Sequence, residues 1–214
     1  MEANFWHQKW QRGDIGFHLS QANPLLVAHL DSLKLKAGDR VFLPLCGKTL
    51  DIGYLLHLGY RVTGAELSEI AIEALFQSLQ LQPTVTEHGR LKHYRAETLE
   101  VYVGDIFELK ATQLGPIDAI YDRAALVALP AEVRQRYAAH LVEITHAAPQ
   151  LVITYEYDQS QIDGPPFSVD ANEVERLYGK SYALNARETR AVEGGMKGKV
   201  AATETVWKFE KLKP

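Results

Sequence analysis

Residues 41–55, VFLPLCGKTLDIGYL, restrict the fold of this chain more than any other stretch. A short apolar run breaks at Pro44, and a tight turn carries Cys46, Gly47 and Lys48. Leu50, Tyr54, Leu55 and Leu58 then recur at helical spacing. Strand, glycine turn and helix in that order form the first half of a βαβ unit, the usual entrance to a nucleotide site in an α/β protein. The same alternation continues along the chain. Strands are expected at 40–43, 61–65, 99–103, 117–121 and 151–155, and helices at about 24–33, 49–58, 69–80, 131–147 and 170–178. Asn23 is placed to cap the 24–33 helix with Pro24 at its first position, and Asp170 and Glu173 have capping-box spacing. Residues 83–103 hold short extended pieces. Segments 182–189 and 200–211 read as two strands joined through Gly194, Gly195 and Gly198.

Such alternation implies a parallel sheet covered by helices on both faces, with the final hairpin adding an antiparallel strand at one end. With 214 residues, 46% of them hydrophobic, one domain with a real core is expected, comprising an N-terminal helical segment (1–33) and an α/β core (38–214). A net charge of −4 and a pI near 6.1 do not fit a nucleic-acid binder, and no apolar run is long enough for a bilayer. The start of the chain has no basic-then-apolar leader pattern, so a cytoplasmic monomer is expected. The lone Cys46 excludes an internal disulfide and a cysteine-rich zinc site, and no metal is expected.

In sheets of this kind ligands sit beyond the carboxyl ends of the strands. The first strand is followed by Leu45-Cys46-Gly47-Lys48, and the second ends at Glu66, 19 residues past Gly47. An acid at that place can accept hydrogen bonds from a ribose diol. The third is followed by Gly104-Asp105-Ile106-Phe107, where Asp105 could accept from an adenine amino group and Ile106 could cover the ring. The fourth is followed by Asp122-Arg123. The set is adenosine-shaped, although Glu66 and Asp105 taken singly are ordinary acids at helix starts. A pyrophosphate requires several glycines to bring backbone N–H groups close, and this turn has one. A cofactor without phosphates relaxes that demand. S-adenosyl-L-methionine is such a cofactor, with a carboxylate for a helix N-terminus and an ammonium for backbone carbonyls. Cys46 is expected to be a small buried apolar residue and Lys48 a solvated turn residue.

The segments FWHQKWQRGDIGFH, VFLPLCGKTLDIGYL, VTGAELSEIAI, GDIFEL, YDRAALVALP and GPPFSV occur in this order over nearly the whole chain. In these the chain resembles the bacterial branch of the thiopurine S-methyltransferases, class I S-adenosylmethionine-dependent methyltransferases. The resemblance implies a Rossmann-like, seven-stranded mixed sheet with an antiparallel last strand, and a mobile N-terminal segment that closes over the site. It also implies cofactor contacts at Trp10, Leu45, Glu66 and Arg123, with Asp105 and Ile106 near the adenine and Phe17 beside the acceptor. Transfer of a methyl group to an aromatic or heterocyclic thiol is the expected activity. Methylation of selenium or tellurium compounds, sulfide or halide is the alternative with the same cofactor, and a non-catalytic cofactor-binding module is the alternative from another class.

Trp6 and Trp10 are four residues apart and share a helix face, which suits either a core stripe or a lid. As a lid, the segment would bring Trp6, Asp14 and Phe17 to the substrate, with Gly13 and Gly16 as hinges around Asp14-Ile15. Arg123 is the candidate catalytic cation beside the acceptor thiolate, being charged at any working pH. Its bland role is a salt bridge to Asp122 or another acid, and both roles can hold together. In the glycine-rich stretch before the last strand, Arg187, Arg190 or Lys197 could face the substrate.

Overall fold

The computed structural model describes residues 3–16 and 19–212. Its strands are β1 (Arg40–Pro44), β2 (Arg61–Glu66), β3 (Thr84–His88), β4 (Leu91–Ala96), β5 (Leu99–Val103), β6 (Ala119–Arg123), β7 (Gln150–Tyr157), β8 (Tyr182–Ala191) and β9 (Ala202–Lys211). The helices are α1 (Ala3–Arg12), α2 (Pro24–His29), α3 (Leu50–His57), α4 (Glu69–Ser78), α5 (Ala111–Leu114), α6 (Ala131–Ile144) and α7 (Ala171–Tyr178). All nine strands join one sheet in the order β3-β4-β5-β2-β1-β6-β7-β9-β8. β1 pairs in parallel with β2 on one side and β6 on the other, so the chain reverses direction across the sheet between β1 and β6. That is the switch point at which open α/β sheets hold ligands.

Successive side chains of a strand point to opposite faces, and β1 shows the consequence. Val41 and Leu43 pack with Leu25 and Leu26 of α2, Ile52 and Leu55 of α3, and Ile72 and Leu75 of α4. Phe42 packs the other way, with Tyr137 and Leu141 of α6 and Val174 and Tyr178 of α7. Two apolar cores therefore sandwich the sheet, as the near-continuous hydrophobic strands require. β9 runs antiparallel to β7, from Gln150↔Phe209 to Tyr157↔Ala202, and β8 then pairs with its outer edge.

The expected seven strands become nine. A hairpin, β3–β4, pairs antiparallel with β5 and extends the sheet beyond the class pattern. Its register, His88↔Leu91, leaves a two-residue turn of Gly89 and Arg90, with Gly89 at φ +68. β3 is exposed along its whole length, so it lacks the apolar alternation that marks a strand in sequence. A second correction concerns β6, which ends two residues later than expected. Asp122 and Arg123 thus close the strand instead of following it, and the chain turns at Ala124, with φ +61. The 24–33 helix is α2 followed by a 3-10 turn, Leu30–Leu33, and Asn23 caps it through Leu25 N–H at 2.8 Å.

Candidate active site

A cavity of about 890 Å³ opens at the carboxyl ends of β1, β2, β5 and β6. It lies in the upper part of the range of roughly 300–1,000 Å³ for ligand pockets. Trp6, Trp10, Asp14, Leu45, Glu66, Asp105, Ile106 and Arg123 all line it. Phe17 lies outside the described residues.

The β1–α3 turn forms the floor. Leu45 and Gly47 both take left-handed backbone, at φ +46 and +53. Cys46 N–H donates to the Ala65 carbonyl at 3.0 Å and Gly47 N–H to Glu66 Oε2 at 2.8 Å. The other Glu66 oxygen accepts from Ser68 N–H at 2.9 Å. The Glu66 carboxylate, 5% exposed, thus ties the ends of β1 and β2 together. Burial pushes its pKa up, and the Ser68 and Gly47 N–H groups pull it back. Each oxygen keeps a second lone pair for a ligand hydroxyl. Cys46 is buried, and a Cβ on Gly64 would lie 2.8 Å from its sulfur. Burial, then the charge of Glu66, pushes the Cys46 thiol well up, so it acts as a small apolar residue, as expected.

α1 crosses above this turn. The Trp10 indole, 8% exposed, rests on Gly47, where a Cβ would stand 2.9 Å from the ring. The single glycine of the turn is thereby explained, because it admits the indole as well as the left-handed backbone. The helix ends through Gly13 N–H to Trp10 O at 3.2 Å and Asp14 N–H to Lys9 O at 3.0 Å. Lys9 Nζ also pairs with the Asp14 carboxylate at 2.5 Å, which holds that acid below the usual carboxylate range.

At the β5 end, Asp105 Oδ1 accepts from Phe107 N–H at 3.0 Å, so the bland capping role holds while the residue also faces the cavity. The Ile106 carbonyl is held by His140 Nε2 at 2.8 Å. Arg136 stacks on Phe107, 4.3 Å from the ring centroid. At the β6 end, Arg123 shares a hydrogen bond with the Tyr155 hydroxyl of β7. Burial pushes the Tyr155 phenol up and the Arg123 charge partly offsets this. The envisaged Arg123–Asp122 salt bridge is absent. Asp122 points to the opposite face, where Leu126 N–H reaches it at 3.0 Å and Tyr137 O–H at 2.7 Å, because neighbouring residues of a strand face opposite ways.

Of the three basic residues near the last hairpin, Lys197 lines the cavity and donates to Asp163 O at 2.8 Å. Arg190 is turned to Glu204 at 2.8 Å, and Arg187 is not part of the lining. Sequence reasoning missed Asp51, Tyr121, Pro165, Pro166 and Met196, which also line the cavity. The proline pair follows β7 and could have been found by the strand-end rule used for the other loops. Asp51 and Tyr121 carry no such signal, being an acid in a first helical turn and an aromatic within a strand. No group of three or more metal-ligating side chains occurs among the described residues.

The chain is similar to known proteins over nearly its whole length. The family model described as Thiopurine S-methyltransferase (TPMT) matches residues 1–211. A protein named thiopurine S-methyltransferase from Teredinibacter turnerae is 52% identical over 211 residues, covering 99% of this chain and 98% of its own. One of the same name from Xanthobacter autotrophicus is 51% identical over 212 residues, covering 99% and 100%. Among solved structures, an S-adenosylmethionine-dependent methyltransferase from Anabaena variabilis superposes with a TM-score of 0.68 at 15% identity, covering 97% and 95%. The 1,6-didemethyltoxoflavin-N1-methyltransferase of Burkholderia thailandensis, solved with bound 1,6-didemethyltoxoflavin and S-adenosylhomocysteine, gives a TM-score of 0.65 at 16% identity, covering 98% and 87%. At these identities the two structures speak for the fold alone.

Proposed function

Because the chain belongs to the thiopurine S-methyltransferase family, we propose that it moves the methyl group of S-adenosyl-L-methionine to the sulfur of an aromatic or heterocyclic thiol. One observation carries this reading. A single cavity runs from a one-glycine turn anchored by Glu66, past Arg123, to an aromatic lid. The residues present fit the donor. Glu66 would meet the ribose diol with its free lone pairs, Ile106 would cover the adenine with Asp105 at its edge, and the Leu45 backbone would meet the amino-acid tail. Trp10 closes the turn over them. When bound, the donor supplies an electrophilic methyl on a sulfonium.

The remaining work is positional. Methyl transfer is an in-line displacement, so the chain must align the acceptor and keep water away. Trp6 and Asp14 of the lid and the Pro165–Pro166 wall enclose the acceptor. Heteroaromatic thiols are more acidic than a cysteine thiol of pKa about 8.5, so a thiolate fraction exists near neutrality without a dedicated base. The Arg123 guanidinium, steadied by Tyr155, stabilises that thiolate or the adjacent ring nitrogen. The cavity is large for an inorganic acceptor and suits an aromatic one beside the donor.

The lid (1–33) and the core (38–214) act as one domain in this reading. The same reading takes the chain to act as a monomer. No described helix is long and apolar enough to cross a membrane. The proposal extends to action on a small molecule in the cytoplasm. The test is transfer from labelled donor to a panel of aromatic thiols, selenite, tellurite, sulfide and halides. Label on the aromatic thiols supports the proposal. Label only on the inorganic acceptors replaces the substrate class, and no transfer despite donor binding removes the enzyme.

A further inference from the structure

Asp51 is an acid that neither the fold nor the reaction has accounted for. It lies in the first turn of α3, is 1% exposed, and forms part of the cavity lining beside Leu43 and Tyr121. Its two oxygens accept one hydrogen bond each, Oδ1 from Asn23 N–H at 2.6 Å and Oδ2 from the Tyr121 hydroxyl at 3.1 Å. Among the described residues it makes no ion pair, unlike Glu100 or Glu173, which are matched by arginines. A buried carboxylate held only by neutral donors is costly, and a cation brought beside it offsets that cost. Burial, then the charge of Asp51, pushes the Tyr121 phenol well up, so Tyr121 remains the donor and Asp51 the acceptor.

The electrostatic arrangement is directional. Arg123 also acts on Tyr121, from the opposite sign of charge. The cavity lining therefore carries a negative group and a positive group that both act on one phenol. A zwitterionic amino-acid tail has the matching pair of charges. In a region walled by buried strands the field of a carboxylate falls off slowly, so Asp51 acts on a cation in the cavity without reaching far into it.

We propose that Asp51 is a positioning residue for the methyl donor, the counter-charge that selects the ammonium group of its amino-acid tail and fixes how deep the tail sits. This rests on the reading of the cavity as an S-adenosylmethionine site. The competing role is architectural, since the same carboxylate joins the start of α2, the start of α3 and the end of β6.

The experiment is calorimetric titration with S-adenosyl-L-homocysteine and with its deaminated counterpart, in which hydrogen replaces the α-ammonium. Binding of S-adenosyl-L-homocysteine by the unaltered protein tests the site itself, and its absence would remove the reading on which the proposal stands. Given binding, the unaltered protein should prefer the ammonium-bearing ligand by on the order of 10-fold or more, the scale of one charge-assisted contact. In Asp51→Asn that preference should collapse toward unity while affinity for the deaminated ligand changes little. Tyr121→Phe keeps the ring and frees Oδ2 from its competing donor, so the preference should widen, and this variant serves if Asp51→Asn does not fold. Equal weakening of both ligands in Asp51→Asn, or an unchanged or narrowed preference in Tyr121→Phe, assigns the residue to architecture and overturns the proposal.

Discussion

Gly47 bears two constraints, and each argues against any side chain there. Its φ of +53 is left-handed, and a Cβ would meet the Trp10 indole at 2.9 Å. Gly47→Ala should cost about 1–2 kcal/mol through the backbone alone. For a chain of this size that is a drop of roughly 2–8 °C in melting temperature. It should also displace Trp10 from the turn and weaken donor binding. Unchanged tryptophan fluorescence together with unchanged affinity would show that the indole does not rest on the glycine. Arg123 is a different case, since its proposed work is done on the acceptor. Arg123→Ala should lower kcat/KM by about 10–100-fold, the loss of one charge-assisted hydrogen bond of ~1.5–3 kcal/mol. Turnover like that of the unaltered protein would end its proposed catalytic role.

Among the elements, α7 shows how a local signal and a tertiary one can be confused. Asp170 and Glu173 have capping-box spacing, and half of the box forms, with Asp170 Oδ1 accepting Glu173 N–H at 2.7 Å. The Glu173 carboxylate instead grips the buried Arg134 of α6 with both oxygens, at 2.7 and 2.9 Å. Two substitutions three residues apart should therefore differ sharply. Asp170→Ala loses an N-cap, about 1 kcal/mol. Glu173→Ala leaves a buried guanidinium without its carboxylate, about 3–5 kcal/mol. Denaturant unfolding of the two variants would expose the difference, and similar midpoints would contradict the tertiary role. The same distinction governs what was legible beforehand. The β1 strand, its turn and α3 were readable because Pro44, Gly47 and the Leu50–Leu58 spacing are local signals. β3 was not, because its stability comes from pairing with β4 and not from a buried face. The end of β6 was misplaced because Asp122 and Arg123, polar in sequence, are held in the strand by pairing with Val152 and Ile153 of β7.

At the scale of the whole molecule, Asp122 couples the sheet to α6 beneath the site. Burial pushes its pKa from an ordinary 3.8 up to about 6, against the pull of Leu126 N–H and Tyr137 O–H. A carboxyl group whose folded pKa is raised stabilises the fold most below its unfolded value, and that contribution is lost as pH rises through about 6. Relative to Asp122→Asn, the unaltered protein should lose about 3 kcal/mol of stability between pH 3.8 and 6. Chemical denaturation across that window reads the slope, and parallel curves for the two proteins would refute it. Glu100 has the opposite sense. The hydrogen bond from His93 and the charge of Arg40 hold it down to about 2, so its contribution is present above the ordinary value of 4.5 and fades as pH falls toward 2. The sequence by itself determined the α/β class, the loops that carry the site and a cofactor without phosphates. All of these follow from short-range periodicity and from the one glycine of a turn. Only the tertiary structure decided that the sheet has nine strands, that Trp10 closes on Gly47, that Asp122 turns away from Arg123, and that Asp51 lines the cavity. Those outcomes depend on which distant group each side chain meets, and that is set by strand pairing and side-chain direction, which no local pattern encodes.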